Sequence, residues 1–471
     1  MAYKPVNVLD PNVTASKTIM LLAWPTIAEQ ILQTMVSYAD TAMVGSLGAN
    51  ATASIAISNS LIHLINGIMN AAALGFSVQM ARRLGEGSTE KARQVIRQGL
   101  LVMAIGGIGL TLAILLAAGQ VPQWMGASPA ILAHASAYLR IVSSAFLMNI
   151  SVIFCGTMLR FSGDTKTPLL FNIMTNILNI IGNYVLIFQP HTVHLFGRSF
   201  PVWGAGLGVE GAAIATAAAT TFSGLMLLRA MLNDRFPLKI SLKGDLKFDR
   251  DIMHFAWHLG APAAYERLIL SSGQILMTRL VAGLGTASLA AYHLANTAES
   301  ISYMPGYGLA VAATTLVAQA LGAGKPQLAW QYGKRCTQYG VGIMAFAGLL
   351  MFVFSKNLMM LFTPDLQVIA LGTVGLKIMA FSEPFFAMAI VISGALRGAG
   401  DTRRPFYYTA SGMWGVRVGT VILLCYILKI GVYGAWIGMI LDLMVRGLLC
   451  LRRFRGGHWL EAWHNDKNNH Q

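Results

Sequence analysis

Charge is the scarcest commodity in this sequence. Only 11% of its 471 residues are Asp, Glu, Lys or Arg, and 19 of these are acids. A soluble domain carries about a quarter charged residues. With 55% apolar residues and a mean hydropathy of +0.59, the chain has more apolar surface than a water-facing fold can hide, which excludes an ordinary soluble domain. Cysteine is sparse as well. Cys155, Cys336, Cys425 and Cys450 are too scattered for a zinc site or a disulfide framework. HExxH, Asp-rich and GxxxxGK[ST] motifs are missing, which argues against an intramembrane metalloprotease, a prenyltransferase and an ATP-driven pump. His63, His254, His258 and His293 stand alone and read as hydrogen-bonded packing residues. No cofactor and no structural metal are expected. Long polar stretches are limited to a middle loop near 233–251 and the tail after Leu451, so no soluble domain is appended.

What the chain has instead is long apolar runs. A bilayer core takes about 20 apolar residues per helix. Stretches of this kind lie at 18–43, 51–80, 95–118, 131–158, 168–190, 207–232, 254–282, 287–319, 336–355, 367–394, 405–429 and 431–451. They read as helices, because a segment in lipid must satisfy its own backbone hydrogen bonds. The polar start, Met1 to Lys17, leads into an apolar run longer than a signal-peptide core and without a cleavage site, so it reads as an uncleaved first span. Most Lys and Arg fall in loops that share one side, including Arg82, Arg83, Lys91, Arg93, Arg97, Lys239, Lys243, Lys247, Arg250, Arg452, Arg453 and Arg455. By the positive-inside rule both termini are cytoplasmic in a bacterial inner membrane. The net charge of +15 then faces an anionic leaflet, so the partner is the lipid bilayer and not nucleic acid.

The two halves repeat at an offset of 237 residues. Pro25 and Glu29 correspond to Pro262 and Glu266, Asn59 to Asn296, and LGEG at 84–87 to LGAG at 321–324. The clearest pair is LRxxGDTxxP, as Leu159, Arg160, Gly163, Asp164, Thr165, Pro168 and again as Leu396, Arg397, Gly400, Asp401, Thr402, Pro405. The expected organisation is a six-helix lobe at 1–235, a second at 236–451 and a cytoplasmic tail at 452–471. Equivalent residues are separated by six spans, so both copies enter from one side. A pseudo-twofold axis along the membrane normal then encloses a cleft, and the lobes can rock between inward-open and outward-open states.

The doubled LRxxGDTxxP motif and YADTAMVG at 38–45 resemble the multidrug and toxic compound extrusion (MATE) family, in its NorM-like branch, along essentially the whole chain. The resemblance implies an all-α membrane fold of two lobes arranged as a V. It also implies a monomeric antiporter that exports small organic molecules against entry of H+ or Na+. Asp40, fifteen residues after Pro25, matches the family's aspartate on the first helix, and Asn179 and Asn183 match its polar partners.

Acids inside spans carry further weight, since each costs about 2.5–3.5 kcal/mol at a helix centre on insertion scales. Glu29 and Asp40 are three turns apart and share a face. Glu266, Glu299 and Glu383 are the candidates in the second half. Where NorM-like relatives carry acids this chain has Leu270 and Phe386, so Glu266 and Glu383 stand one turn earlier on the same faces. Arg267 offers itself as a counter-ion to Glu266. Asp442 lies four residues before Arg446, the spacing of an intrahelical ion pair. In the doubled motif, Gly163 and Gly400 suit tight turns and the Asp-Thr pairs suit helix caps. Arg160 and Arg397 are expected to pair with Asp164 and Asp401 or with lipid phosphates, and the remaining role for these turns is a gating latch. Tyr38, Trp257, Tyr265, Tyr292, Tyr303 and Tyr307 are candidate cleft aromatics for cationic substrates. Two other functions stay open. A flippase for a lipid-linked sugar would use basic residues within spans, such as Arg140, Arg279, Lys377 and Arg417. A membrane-embedded enzyme would need motifs not found here.

Overall fold

The computed structural model describes residues 6–195, 198–233, 238 and 248–460. Lys239, Lys243, Lys247, the 235/236 lobe boundary and the tail from 461 onward lie outside the described residues. The fold is helical throughout, apart from a hairpin of β1 (His191–Leu195) and β2 (Arg198–Val202). The first half supplies α1 (Ala15–Gly45), α2 (Ala49–Gly85), α3 (Thr89–Ala117), α4 (Pro129–Ser144), α5 (Phe146–Phe161), α6 (Lys166–Ile187) and α7 (Gly208–Leu232). The second half supplies α8 (Arg250–Ala282), α9 (Thr286–Gly322), α10 (Pro326–Val353), α11 (Leu366–Ala380), α12 (Glu383–Gly398), α13 (Arg403–Ile427) and α14 (Tyr433–Arg455).

Each apolar stretch of the sequence falls on one helix or on a bent pair. Among the described residues nine helices are long and apolar enough to cross a membrane, and the pairs α4–α5 and α11–α12, bent by 51° and 54°, bring the number to eleven. Pro384 in the first turn of α12 cannot continue the hydrogen-bond ladder of α11, which accounts for the second bend. The remaining stretch, α8, has the length but carries Glu266, Arg267 and Arg279 in its path. Pro25, Pro262 and Pro305 fall inside α1, α8 and α9. In α13 the turns Ser411–Arg417 and Ile422–Ile427 are π-helical, a wider winding that shifts the buried face and that residue spacing did not foretell.

The sequence repeat becomes an exchange of helix starts at the end of the bundle that carries the two LRxxGDT turns. Ile19, Leu22 and Ala23 of α1 are buried in a core built from Leu309, Tyr332, Val391 and Phe454 of the second half. Reciprocally, Ile252, Phe255 and Leu259 of α8 are buried with Phe76, Phe154 and Met231 of the first half. Leu22 and Leu259 are equivalent in the repeat, so each half lends the other its leading helix.

A second reciprocal contact lies at the same end. A Cβ on Gly85 would lie against the backbone carbonyl of Gln319, and one on Gly322 against that of Arg82. Both pairs obey the 237-residue offset, so α2 and α9 cross on the pseudo-twofold axis with backbone touching backbone. Two long side chains reinforce the crossing. Arg82 Nη2 donates to the Ala399 carbonyl at 2.6 Å, and Gln319 Nε2 to the Phe161 carbonyl at 2.7 Å. The segment before α1 also bridges the halves there, with Val6 N donating to Gly163 O at 3.2 Å and Tyr332 Oη to Val8 O at 2.7 Å.

A side chain at this crossing forces the helices apart. Gly322→Val is expected to lower thermal stability by about 1–3 kcal/mol, the usual cost of overpacking. Gly342→Ala, where a Cβ meets open space, is expected to leave it unchanged. Melting of the purified protein, followed by size exclusion, checks both.

Candidate cation and substrate sites

The buried acids divide by what neutralises them. Glu29 on α1 accepts two hydrogen bonds from Arg160 Nη1, at 3.0 and 3.1 Å, and Arg160 also reaches Thr157 Oγ1 at 3.4 Å. Glu266 on α8 accepts from Arg397 Nη2 at 2.7 Å and from Thr409 Oγ1 at 3.0 Å. Both pairs span 131 residues, so the repeat has copied a buried ion pair. This corrects two expectations. The motif arginines do not pair with the motif aspartates, and Arg267 is not the partner of Glu266. Asp164 instead caps α6, accepting from Thr167 N at 3.0 Å and Thr167 Oγ1 at 2.6 Å. The second copy has Arg404 where the first has Thr167, and there Asp401 turns to Arg453 at 2.8 Å. Gly163 and Gly400 adopt φ of +99° and +91°, the left-handed turn that glycine permits.

Asp442 is held twice, by Arg446 at 2.7 Å, as its spacing predicts, and by Arg417 at 2.8 Å from the end of a π-turn. One carboxylate between two arginines is a fixed structural centre, and it removes Arg417 from the basic residues free to line a cavity.

Asp40 sits differently. Half-buried on α1, it faces amides only. Asn183 Nδ2 donates to its Oδ1 at 2.7 Å. With its amide nitrogen toward α1, Asn179 donates to the same oxygen at 2.9 Å while its own oxygen accepts from Thr216 Oγ1 at 3.2 Å. The amide orientation is assigned from this network, since it alone gives both atoms a complementary partner. Tyr138 stands behind the aspartate and reaches Asn59 Oδ1 at 3.4 Å. Five helices of the first half thus meet around one carboxylate, with no cation paired to it among the described residues.

Glu299 on α9 and Glu383 on α12 form a second centre with no ion pair among the described residues; the cation that acts on Glu299 from a distance is Arg417, itself bound to Asp442. Both are buried, 2% and 0% exposed, and they are electrostatic neighbours. The Ser302 hydroxyl donates to Glu383 Oε1 and lies 2.8 Å from the Glu299 carbonyl. Glu299 Oε1 and Glu383 Oε2 have no hydrogen-bond partner. Beside them Tyr303 packs edge-on to Phe386 at 5.2 Å and to Tyr307 at 5.8 Å. Tyr38, from the other half, holds Ser300 Oγ at 2.8 Å and the Thr297 carbonyl at 3.0 Å. Tyr292 does not join this group; it is buried against Trp436 in the second-half core, at 6.4 Å.

Sequence reasoning named all these acids, the asparagines at Asp40 and the Asp442–Arg446 pair, but missed the arginines on Glu29 and Glu266 and the serine on Glu383. The constant separation of Glu29 from Arg160 and Glu266 from Arg397 was the available signal, and Ser302, one turn beyond Glu299, was another. Thr216 and Thr409 carry no sequence mark.

Comparison with known proteins places this arrangement. The MatE family profile matches residues 25–185 and 262–426, one stretch in each half and more than half of the chain. The chain belongs to the MATE family of multidrug efflux transporters. It is 29% identical to the probable multidrug resistance protein NorM of Thermotoga maritima over 444 residues, covering 94% of this chain and 93% of that protein. It is likewise 29% identical to the uncharacterized transporter YisQ of Bacillus subtilis, over 95% and 96% of the two chains. The fold matches a crystal structure of MATE in complex with MaL6 at a TM-score of 0.89 and 21% identity, over 98% and 99% of the chains. It matches a MOP-superfamily transporter from Pyrococcus furiosus, described as having a binding pocket of reversed polarity, at 0.85 and 22% identity, over 97% and 98%.

The arginine-bound acids in this MATE chain are expected to matter for folding. Arg160 and Glu29 expose only 17% and 8% of their side chains, so Glu29→Gln strands a buried guanidinium. The expected loss is about 3–5 kcal/mol of stability. The double variant Glu29→Gln with Arg160→Gln should recover a large part of it, measured as thermal stability in detergent.

Proposed function

We propose that the chain exports small organic molecules, cationic ones among them, by antiport with an entering H+ or Na+. The observation that carries this reading is the contrast among the buried acids. Glu29, Glu266 and Asp442 are held by arginines, whereas among the described residues no cation is ion-paired to Asp40, Glu299 or Glu383. Two bare carboxylates at about 4 Å repel by about 4 kcal/mol at an effective dielectric of 20, so adjacent buried acids call for a proton or a small cation between them. Asp40, set among amides that donate but bring no charge, can hold or release such an ion without breaking a salt bridge. Occupancy of these acids biases one arrangement of the halves over the other, and linkage then requires ion and substrate to weaken each other's binding. The aromatic cluster of Tyr303, Tyr307 and Phe386 offers quadrupole faces to an organic cation beside Glu383.

In this reading the two lobes, 1–235 and 236–451, rock about the axis where Gly85 and Gly322 cross. The basic motif end faces the cytoplasm of a bacterial inner membrane, and the turns at Gly163 and Gly400 belong to its closure. A monomer suffices, since both halves of the cleft lie in one chain.

Proteoliposomes with an imposed pH or Na+ gradient test the proposal. Dye efflux is expected to follow one of the two gradients in the native protein and to be lost in Asp40→Asn and in Glu383→Gln, with both variants still inserted and folded. Efflux that persists when both gradients are collapsed would sink it.

A further inference from the structure

Arg267 is an exposed cation near the middle of α8 that, like Arg140, Arg279 and Lys377, has no ion pair among the described residues. It stands 17 residues from Arg250 and 15 from Ala282 in α8, about 25 and 22 Å from the helix ends at about 1.5 Å per residue. The helix is longer than a hydrocarbon core of about 30 Å, so its ends project beyond the core, and a residue at its middle stands about 15 Å from either interface when the helix is centred. A cation at mid-span is costly and persists only where water or an anion meets it. Glu266, its neighbour in sequence, points the other way and is saturated by Arg397 and Thr409. Among the described residues no carboxylate lies within ion-pairing distance of Arg267.

The side chain is nevertheless placed. It lies across Gly67 of α2, where a Cβ would sit 2.7 Å from Arg267 Cγ and 3.0 Å from Nε. The seam between α2 and α8 joins the two halves, and Gly75 against Ala256 and Gly260 against Ala71 close it towards the motif end. One turn from Gly67, His63 is an electrostatic neighbour of the guanidinium. Asn66, held by Asn149 Nδ2 at 2.7 Å, and Asn70 continue the polar face of α2. The position equivalent to Arg267 in the first half is Gln30, so the charge has no counterpart across the pseudo-twofold axis.

We propose that Arg267, with His63 beside it, receives an anionic group, a carboxylate or phosphate, of the molecule being carried. The inference rests on the transport reading and narrows it. The substrates then include zwitterions and amphiphiles that pair a cationic ring system with an acidic group, the cation lodging by the second-half acids and aromatics and the anion at the seam. A planar guanidinium suits this role, because it can give a carboxylate two parallel hydrogen bonds.

The test uses a matched pair of probes, rhodamine B, a zwitterion, and its ethyl ester, a cation that lacks the free carboxylate. Binding to the purified full chain is read by fluorescence polarisation. Arg267→Gln, which installs the residue of the symmetric position, is expected to weaken rhodamine B binding about ten- to hundredfold, the range of a charge-assisted hydrogen bond, and to leave the ester unchanged. Arg267→Lys should restore part of the loss. Equal weakening of both probes, or no change in either, overturns the proposal. A lipid source is separated by native mass spectrometry. If the native protein retains an anionic phospholipid that Arg267→Gln releases, and rhodamine B binds both equally, the guanidinium serves a lipid headgroup and the proposal fails. Binding is measured without a gradient, so loss of ion coupling in transport is a separate result from loss of probe selectivity.

Discussion

A charge inside a water-poor interior has to meet another charge, and this requirement organises most of the chain. Glu29 with Arg160, Glu266 with Arg397, and Asp442 with Arg417 and Arg446 are closed accounts that hold helices together. Each leaves a stranded ion if one member is removed, which makes them strong determinants of the fold even though ion pairs of this kind add little net stability. Against that background the open centres stand out. Among the described residues Asp40 is bonded by amides, Glu383 by a serine, and Glu299 meets Glu383 and, at longer range, Arg417. Arg267 lies against the polar face of α2.

The reciprocal contacts tie the two halves to each other. Each half buries the first turns of the other's leading helix, and α2 meets α9 with glycine against carbonyl on both sides of the axis. Close-packed backbone of this kind has few intermediate positions, so the crossing favours discrete arrangements over a continuum. Tyr38 links the halves farther along, bonding α9 within a turn of Glu299. One helix, α1, thus carries Asp40 and also bonds the helix of Glu299.

Much of this was legible in the sequence. Apolar runs located the helices, because the bilayer imposes a length and lipid forbids open backbone. The repeat register gave the pseudo-symmetry and, through LRxxGDTxxP, the positive-φ glycines at Gly163 and Gly400. Scarcity of charge picked out the same acids that the structure buries. What stayed hidden were the arginine partners of Glu29 and Glu266 and the second arginine on Asp442. Arg160 turns toward Glu29 rather than Asp164 because its helix carries it along the interior of its own half, a direction that motif spacing does not encode. The bend in α11–α12 and the π-turns of α13 shift residues off a 3.6-residue face, so the meeting of Arg417 with Asp442 could not be read by periodicity. Tyr292 looked like a cleft aromatic and is a core residue, since composition alone does not tell the two faces of an apolar helix apart.

The exchanged helix starts bear on how the protein is made. Val8, Ile19 and Leu22 are buried together with Cys450, Phe454 and Trp459, more than 420 residues further along the chain. Contacts of such long range are the slowest kind to form. The start of α1 therefore waits, unpacked at one end, until the helices of the second half have been made. Neither half, expressed alone, would possess a complete interior at that end.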